Sequence, residues 1–443
     1  MSLAIDHKAT SNSRLGISSR AGWLGIGWAS LAQLVGMVIR LGSNLILTRL
    51  LVPEAYGLFG TAMAVVTTLE WLSDLGIQPA LIRHPDGDKP TFLATGWWLG
   101  LWRGTALSAI AAALSWPLAQ SYGQPALALV LACLALRPVI IALRSPGIPL
   151  LRRTLNYRAI FVDEVTQTVV ATAVSLTLAW LTHSIWSIVA GTLAGALAGA
   201  IVSYVLCGVY PKRVWDKIAA HEIAHLGHQV FINTMVMAVW LNMDRLLGLK
   251  LVGEREMGYY AVAWNLAAVA ENLMSRACDV YFSMLSRKGD HDSQRAFHHL
   301  ITSRVAVRLM PLMALGVVAS PFVIGLLYDS RYAGAKILFS LMMARLMIRG
   351  LGQVQFQYLL ATADVKLGTR AYFVAMLVQM AILFPLARTY GVEGLALAGL
   401  ISTTALTVVQ TIFLQIKGVP SIGPLCWTLG WMGTGLAALY LTF

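Results

Sequence analysis

The chain has 443 residues, 58% hydrophobic and 12% charged, with 33 Lys+Arg against 20 Asp+Glu for a formal net charge of +13, and a mean hydropathy of +0.70. A soluble domain carries about 25% charged residues, so a water-facing shell is excluded, and little chain is left for an attached soluble catalytic or nucleotide-binding domain. In a membrane chain the positive balance reports topology and not affinity for nucleic acid.

The first 20 residues are polar, with Lys8, Arg14 and Arg20 and no short apolar run leading to a small-residue cleavage site, which predicts no cleavable signal peptide and a first span that anchors itself. Cutting at charges, prolines and turn residues predicts spans at 22–47, 56–78, 92–117, 126–148, 158–182, 185–208, 226–249, 258–283, 303–327, 335–360, 370–388, 394–415 and 424–442. Barrel strands need alternating segments of about ten residues, so the fold class is all-α, a polytopic membrane bundle of 12–14 helices. With the N-terminus in the cytoplasm, eighteen loop Lys and Arg fall on the cytoplasmic side, and only Arg49, Lys250, Arg255, Arg331, Lys336 and Arg388 fall on the other. Cys133, Cys207, Cys278 and Cys426 lie in apolar stretches without CxxC spacing and read as buried packing residues. Gly191, Gly195 and Gly199 form a small-xxx-small ridge for close helix contact.

A shift of 201 residues aligns Arg49 with Lys250, Gly57 with Gly258 and Glu70 with Glu271, and a shift of 208 aligns Arg137 with Arg345. These matches predict two pseudo-symmetric six-helix lobes. The domains are then a cytoplasmic tail (1–21), an N-lobe (22–208), an interfacial cytoplasmic linker (209–225), a C-lobe (226–416) and an extra C-terminal helix (424–442).

Nine arginines remain inside spans: Arg40, Arg103, Arg137, Arg144, Arg245, Arg276, Arg308, Arg345 and Arg349. Each costs ~2.5–3.5 kcal/mol at the bilayer centre, so each needs a partner, a wet cavity or an interface. Arg40, Arg144, Arg245 and Arg308 lie near span ends, where snorkelling explains them. Arg103, Arg137 and Arg345 lie about 15–17 Å deep, and Arg349 is one turn from Arg345. The planar guanidinium fork suits a diphosphate, and these four are the candidate substrate site. The competing reading is ion pairing with the intramembrane acids Glu70, Asp74, Asp163, Glu164, Asp244, Glu271 and Asp279, which number two fewer than the arginines. Asp279 is spaced to pair with Arg276, and Asp163 and Glu164 read as first-turn helix acids. Glu70 and Glu271, deep and repeat-equivalent, are candidates for ion coupling through a raised pKa, or for a gate salt bridge with Arg137 or Arg345.

The runs ILTRLLVPEAYGLFG (46–60) and DLGIQPALIR (74–83), with LLRRTLNYRAIFVDE (150–164), LVGEREMGYYAVAWNLA (251–267) and LLYDSRYAGAKILFSLM (326–342), resemble recurring pieces of the Wzx-type polysaccharide flippases in the multidrug/oligosaccharidyl-lipid/polysaccharide exporter superfamily. The resemblance implies a two-lobed bundle of twelve or fourteen helices around a central cationic cavity. It also implies alternating-access transport of an undecaprenyl-diphosphate-linked oligosaccharide across the bacterial inner membrane, for exopolysaccharide, O-antigen or capsule synthesis. The implied partners are that lipid-linked oligosaccharide, membrane lipid and other polysaccharide-assembly proteins such as a polymerase or chain-length regulator, with no nucleic acid and no cofactor. A drug exporter on the same scaffold is the alternative, though it would need surplus acid in the cavity. Membrane enzymes are the third reading. A glycan polymerase or ligase would need a long external loop, and His221-Glu222-Ile223-Ala224-His225 matches the HExxH zinc-protease pattern. The motif reads equally as a histidine-rich interfacial linker, and no catalytic residue or metal ligand is assigned.

Overall fold

The computed structural model describes residues 19–73, 76–84, 86–154, 156–286, 290–362 and 364–442. Among these the regular structure is helical: α1 (Ser19–Leu50), α2 (Pro53–Leu72), α3 (Ile77–Arg83), α4 (Pro90–Tyr122), α5 (Pro125–Leu134), α6 (Leu136–Ala142), α7 (Ile148–Arg153), α8 (Tyr157–Thr182), α9 (Trp186–Cys207), α10 (Lys217–Val252), α11 (Glu254–Ser286), α12 (His291–Arg304), α13 (Met310–Leu327), α14 (Ala335–Ala361), α15 (Val365–Ile416) and α16 (Ile422–Thr442). Among the described residues, seven helical stretches are long and apolar enough to cross a membrane. Trp116, Trp180, Val205, Phe322 and Leu326 are exposed on the outside of the bundle. An apolar exterior of this kind suits lipid and not water.

The helix breaks have identifiable causes. Pro138 has no N–H for the Leu134 carbonyl, so the fourth span splits into α5 and α6. Pro311, at the start of α13, coincides with a π-helical turn over Val305–Leu309 that joins α12 to α13. The eleventh and twelfth spans run together as α15, with a sharp break at Gly391 (φ 58°, ψ −134°). The segment read as an interfacial linker is helical from Lys217 and continues without interruption into the seventh span as α10, capped by the Asp216 side chain accepting from the Ile218 and Ala219 amides. Asp163 and Glu164 sit in the second turn of α8, which begins at Tyr157, so they are not the first-turn acids expected. Of the four cysteines only Cys278 is buried, and Cys426 is exposed on α16.

Helices of the first half pack on one another, α8 against α1 and α9, and α4 against α5 and α6. The Gly191/Gly195/Gly199 ridge brings α9 so close to α8 that a Cβ at any of the three would overlap Ser175, Ala171 or Gln167. In the second half α14 is central, packed against α11, α13 and α15. Its spanning window is 78% buried, against 11% for the peripheral α8.

The two halves meet mainly where α2 crosses α10 and α11. Gly57 lies against the Glu254 carbonyl and Gly258 against the Pro53 carbonyl, with no room for a Cβ at either. Residues 53 and 254, like 57 and 258, are related by the 201-residue shift, so repeat-equivalent positions of the two halves touch each other. Beside this crossing the segment Tyr328–Tyr332 clasps the α1–α2 turn. Arg331 Nη2 donates to the Thr48 and Arg49 carbonyls (3.2 and 2.9 Å), Tyr332 to the Leu51 carbonyl (3.0 Å), and Tyr328 to Asn44 Oδ1 (2.9 Å).

Candidate functional site

At the end of the bundle opposite the α1–α2 turn, α2, α3, α4 and α6 enclose a cavity of about 350 Å³. Its charged wall is made of Arg103 on α4, Arg144 just past α6, and Glu70 on α2. Arg103 donates from Nη2 to the Glu70 carbonyl (2.5 Å) and from Nε to Ser73 Oγ (3.0 Å). The Glu70 carboxylate is held by Arg137, whose Nη1 lies 2.6 and 2.7 Å from its two oxygens. Both side chains of this pair keep about a fifth of their surface exposed, 24% for Arg137 and 19% for Glu70, so the pair is poised at the edge of solvent and not sealed in.

Arg144 pairs with the buried Asp163 of α8, whose Oδ2 also accepts from Gln167 Nε2 (3.0 Å). Trp97 donates its indole N–H to the Arg144 carbonyl (2.9 Å) and lines the same cavity. Among the described residues the charged lining is Arg103, Arg144 and Glu70, with Arg137 and Asp163 each paired to one of them. Snorkelling therefore does not account for Arg144, whose partner is Asp163 on α8.

Arg345 and Arg349 lie elsewhere, with Glu271 and Trp264 around a small gap of about 20 Å³. Arg345 is 4% exposed and donates to Asp244 Oδ2 (2.9 Å) and Thr403 Oγ1 (3.1 Å). Asp244 is fully buried and also accepts from the Tyr260 hydroxyl (2.5 Å) and the Arg245 amide. Arg349 pairs with Glu271 at 2.8 Å. Trp240 and Trp264 supply ring faces to the Arg345 guanidinium at 5.8 and 5.7 Å, and Arg245 stacks on Trp264 at 4.7 Å. Arg245 thus turns inward onto an aromatic face and does not snorkel. Each repeat-equivalent glutamate pairs with an arginine of its own half, Glu70 with Arg137 and Glu271 with Arg349.

The remaining candidates separate from these clusters. Arg276 and Asp279 pair locally at 3.5 Å on an exposed face. Arg40 and Arg308 are exposed. Asp74 lies outside the described residues. Glu222 of the HExxH pattern lies 3.3 Å from His84 Nε2, and His84 stacks on Phe92 at 4.6 Å. The His225 side chain lies outside the described residues.

Comparison with known proteins gives a consistent family. The profile of a family described as "Polysaccharide biosynthesis protein" matches residues 46–337. The succinoglycan biosynthesis transport protein ExoT of Rhizobium meliloti is 24% identical over 326 residues, which is 70% of this chain and 63% of the relative, so the chain spans just under two thirds of that protein's length. Among solved structures, an inward-facing multidrug resistance MATE family transporter of the MOP superfamily superposes with a TM-score of 0.70 at 13% identity, covering 86% of this chain and 94% of the other. The lipid II flippase MurJ in its inward closed conformation gives 0.70 at 14% identity, covering 93% and 97%. At these identities the likeness is one of fold.

Proposed function

The chain belongs to the polysaccharide biosynthesis protein family, and on that premise we propose that it is a flippase, a transporter and not an enzyme, carrying an undecaprenyl-diphosphate-linked oligosaccharide from the cytoplasmic to the outer face of the inner membrane by alternating access. The reading is supported by the relative's name as a biosynthesis transport protein and by a fold shared with a lipid II flippase. The observation that supports it most is the cavity lined by Arg103, Arg144 and Glu70, which we read as cationic, with Arg137 held in reserve by Glu70. A drug cation would meet two guanidinium groups on entering, whereas a diphosphate would find the donors it needs.

In this scheme the diphosphate enters between Arg103 and Arg144 and displaces the Glu70 carboxylate from Arg137, which then turns its fork to the phosphate oxygens. Glu70 is a gate charge that keeps the empty cavity neutral enough to sit in the membrane. Glu271 does the same for Arg349 in the other half. Arg345 is deeply buried and paired with the fully buried Asp244, so changing partners would leave that acid uncompensated, and it contributes to the site by holding α10, α14 and α15 in place.

Deletion of the gene in its native bacterium should accumulate lipid-linked intermediate on the cytoplasmic face. Wild-type protein should restore export, and an inserted Arg103→Ala, Arg137→Ala double variant should not. An unchanged glycan profile in the deletion strain, or full rescue by the double variant, would overturn this reading.

A further inference from the structure

A second cavity, of about 340 Å³, lies beneath the clasp that joins Tyr328–Tyr332 to the α1–α2 turn, between α1, α2, α8, α9 and α11. Its chemistry is unlike that of the cationic cavity. Asn44, Asn265 and Asn272 line it, with Ser175, Thr192 and the Tyr56 ring. No carboxylate lines it among the described residues, and Arg40 is its one charged wall. Tyr56 is 4% exposed, and its hydroxyl is buried with no hydrogen-bond partner among the described residues. Sealed in this way, that hydroxyl is part of the packing and not of the surface a ligand meets.

We infer that this cavity binds uncharged sugar, taking the hydroxyls of the glycan while the cationic cavity takes the diphosphate. Carboxamides suit the task because each both donates and accepts, as a sugar hydroxyl does. The volume is in the range of ligand pockets, roughly 300–1,000 Å³. One wall residue also belongs to the clasp, since Asn44 Oδ1 accepts from the Tyr328 hydroxyl. A sugar that takes Asn44 removes that bond and loosens the join between the halves, so occupancy and opening are coupled through a single side chain.

The inference extends the flippase reading, and its test separates the two. Saturation-transfer NMR with free maltotriose, on the full chain in nanodiscs, probes the cavity without any lipid. The wild type should give a signal that an Asn265→Leu, Asn272→Leu double variant loses at least ten-fold. Absence of the signal in the wild type, or its persistence in the double variant, would overturn the inference. Binding of undecaprenyl diphosphate should be the same in the wild type and the asparagine double variant. If maltotriose binds as expected and that lipid does not bind at all, the sugar site stands and the flippase reading falls.

Discussion

Replacing Glu70 by Gln tests whether the gate charge competes with substrate. Arg137 Nη1 sits 2.6 and 2.7 Å from the two Glu70 oxygens, and in the proposed scheme an incoming phosphate must break that contact. A hydrogen bond between charged groups contributes about 1.5–3 kcal/mol net. The pair is mostly buried, at 24% and 19% side-chain exposure, so solvent screening takes away only part of that. At 1.4 kcal/mol per decade, removing the competitor should tighten binding of undecaprenyl diphosphate roughly 10- to 150-fold, with the lower end favoured because glutamine keeps a weak acceptor. Titration of the lipid into nanodisc-held protein at fixed ionic strength measures it. The same substitution in an Arg137→Ala background should give no gain, since the competed-for group is gone. Unchanged or weaker binding in Glu70→Gln, or an equal gain in both backgrounds, would refute the exchange of partners.

Other expectations follow from packing and from the clasp. Arg345→Ala leaves the fully buried Asp244 unmatched and should destabilise the protein by about 3–5 kcal/mol, seen as a lowered thermal midpoint. Replacing Asp244 by Leu and Arg345 by Met together should recover much of that loss. Gly57→Ala or Gly258→Ala drives a methyl into the facing carbonyl and should lower folded yield sharply, whereas Gly100→Ala, with open space around it, should not. Arg331→Ala removes the donors to the Thr48 and Arg49 carbonyls and should increase labelling of a cysteine placed at Asn44. The Arg331 guanidinium, by hydrogen bonding, holds the Asp329 carboxyl below its usual range. Its contribution to the clasp is therefore complete above the ordinary aspartate value of about 3.9 and is lost only as pH falls through the lowered one. Labelling, normalised at each pH to that of a freely exposed thiol because the thiolate is the reactive form, should stay flat from pH 8 to 5 and rise only in stronger acid, and a normalised rise near pH 6 would disprove the assignment to Asp329.

Composition and spacing were enough for the architecture of this chain. A 20-residue apolar stretch has one stable form in lipid, because every backbone N–H and C=O must be satisfied within the segment. The all-helical membrane class was legible for that reason, and seven helical stretches among the described residues are long and apolar enough to cross a bilayer. The local pair Arg276–Asp279, which needs only helix periodicity, and the glycine ridge on α9 were legible too. Partner choice at the site was not legible. Whether Arg137 meets Glu70, Arg345 meets Asp244, or Arg144 meets Asp163 depends on the rotation of each helix and on which helix lies beside it, and those follow from packing across 19 to 101 residues of chain. Equal depth therefore gave Arg103 and Arg345 the same expectation, while the fold set one on a cavity wall and sealed the other against a buried acid. The contact between Gly57 and Gly258 divides along the same line. Their repeat spacing was in the sequence, but only the crossing of α2 over α11 brought the two halves together at those residues, since close approach of two backbones is a property of the pair of helices and of neither one alone.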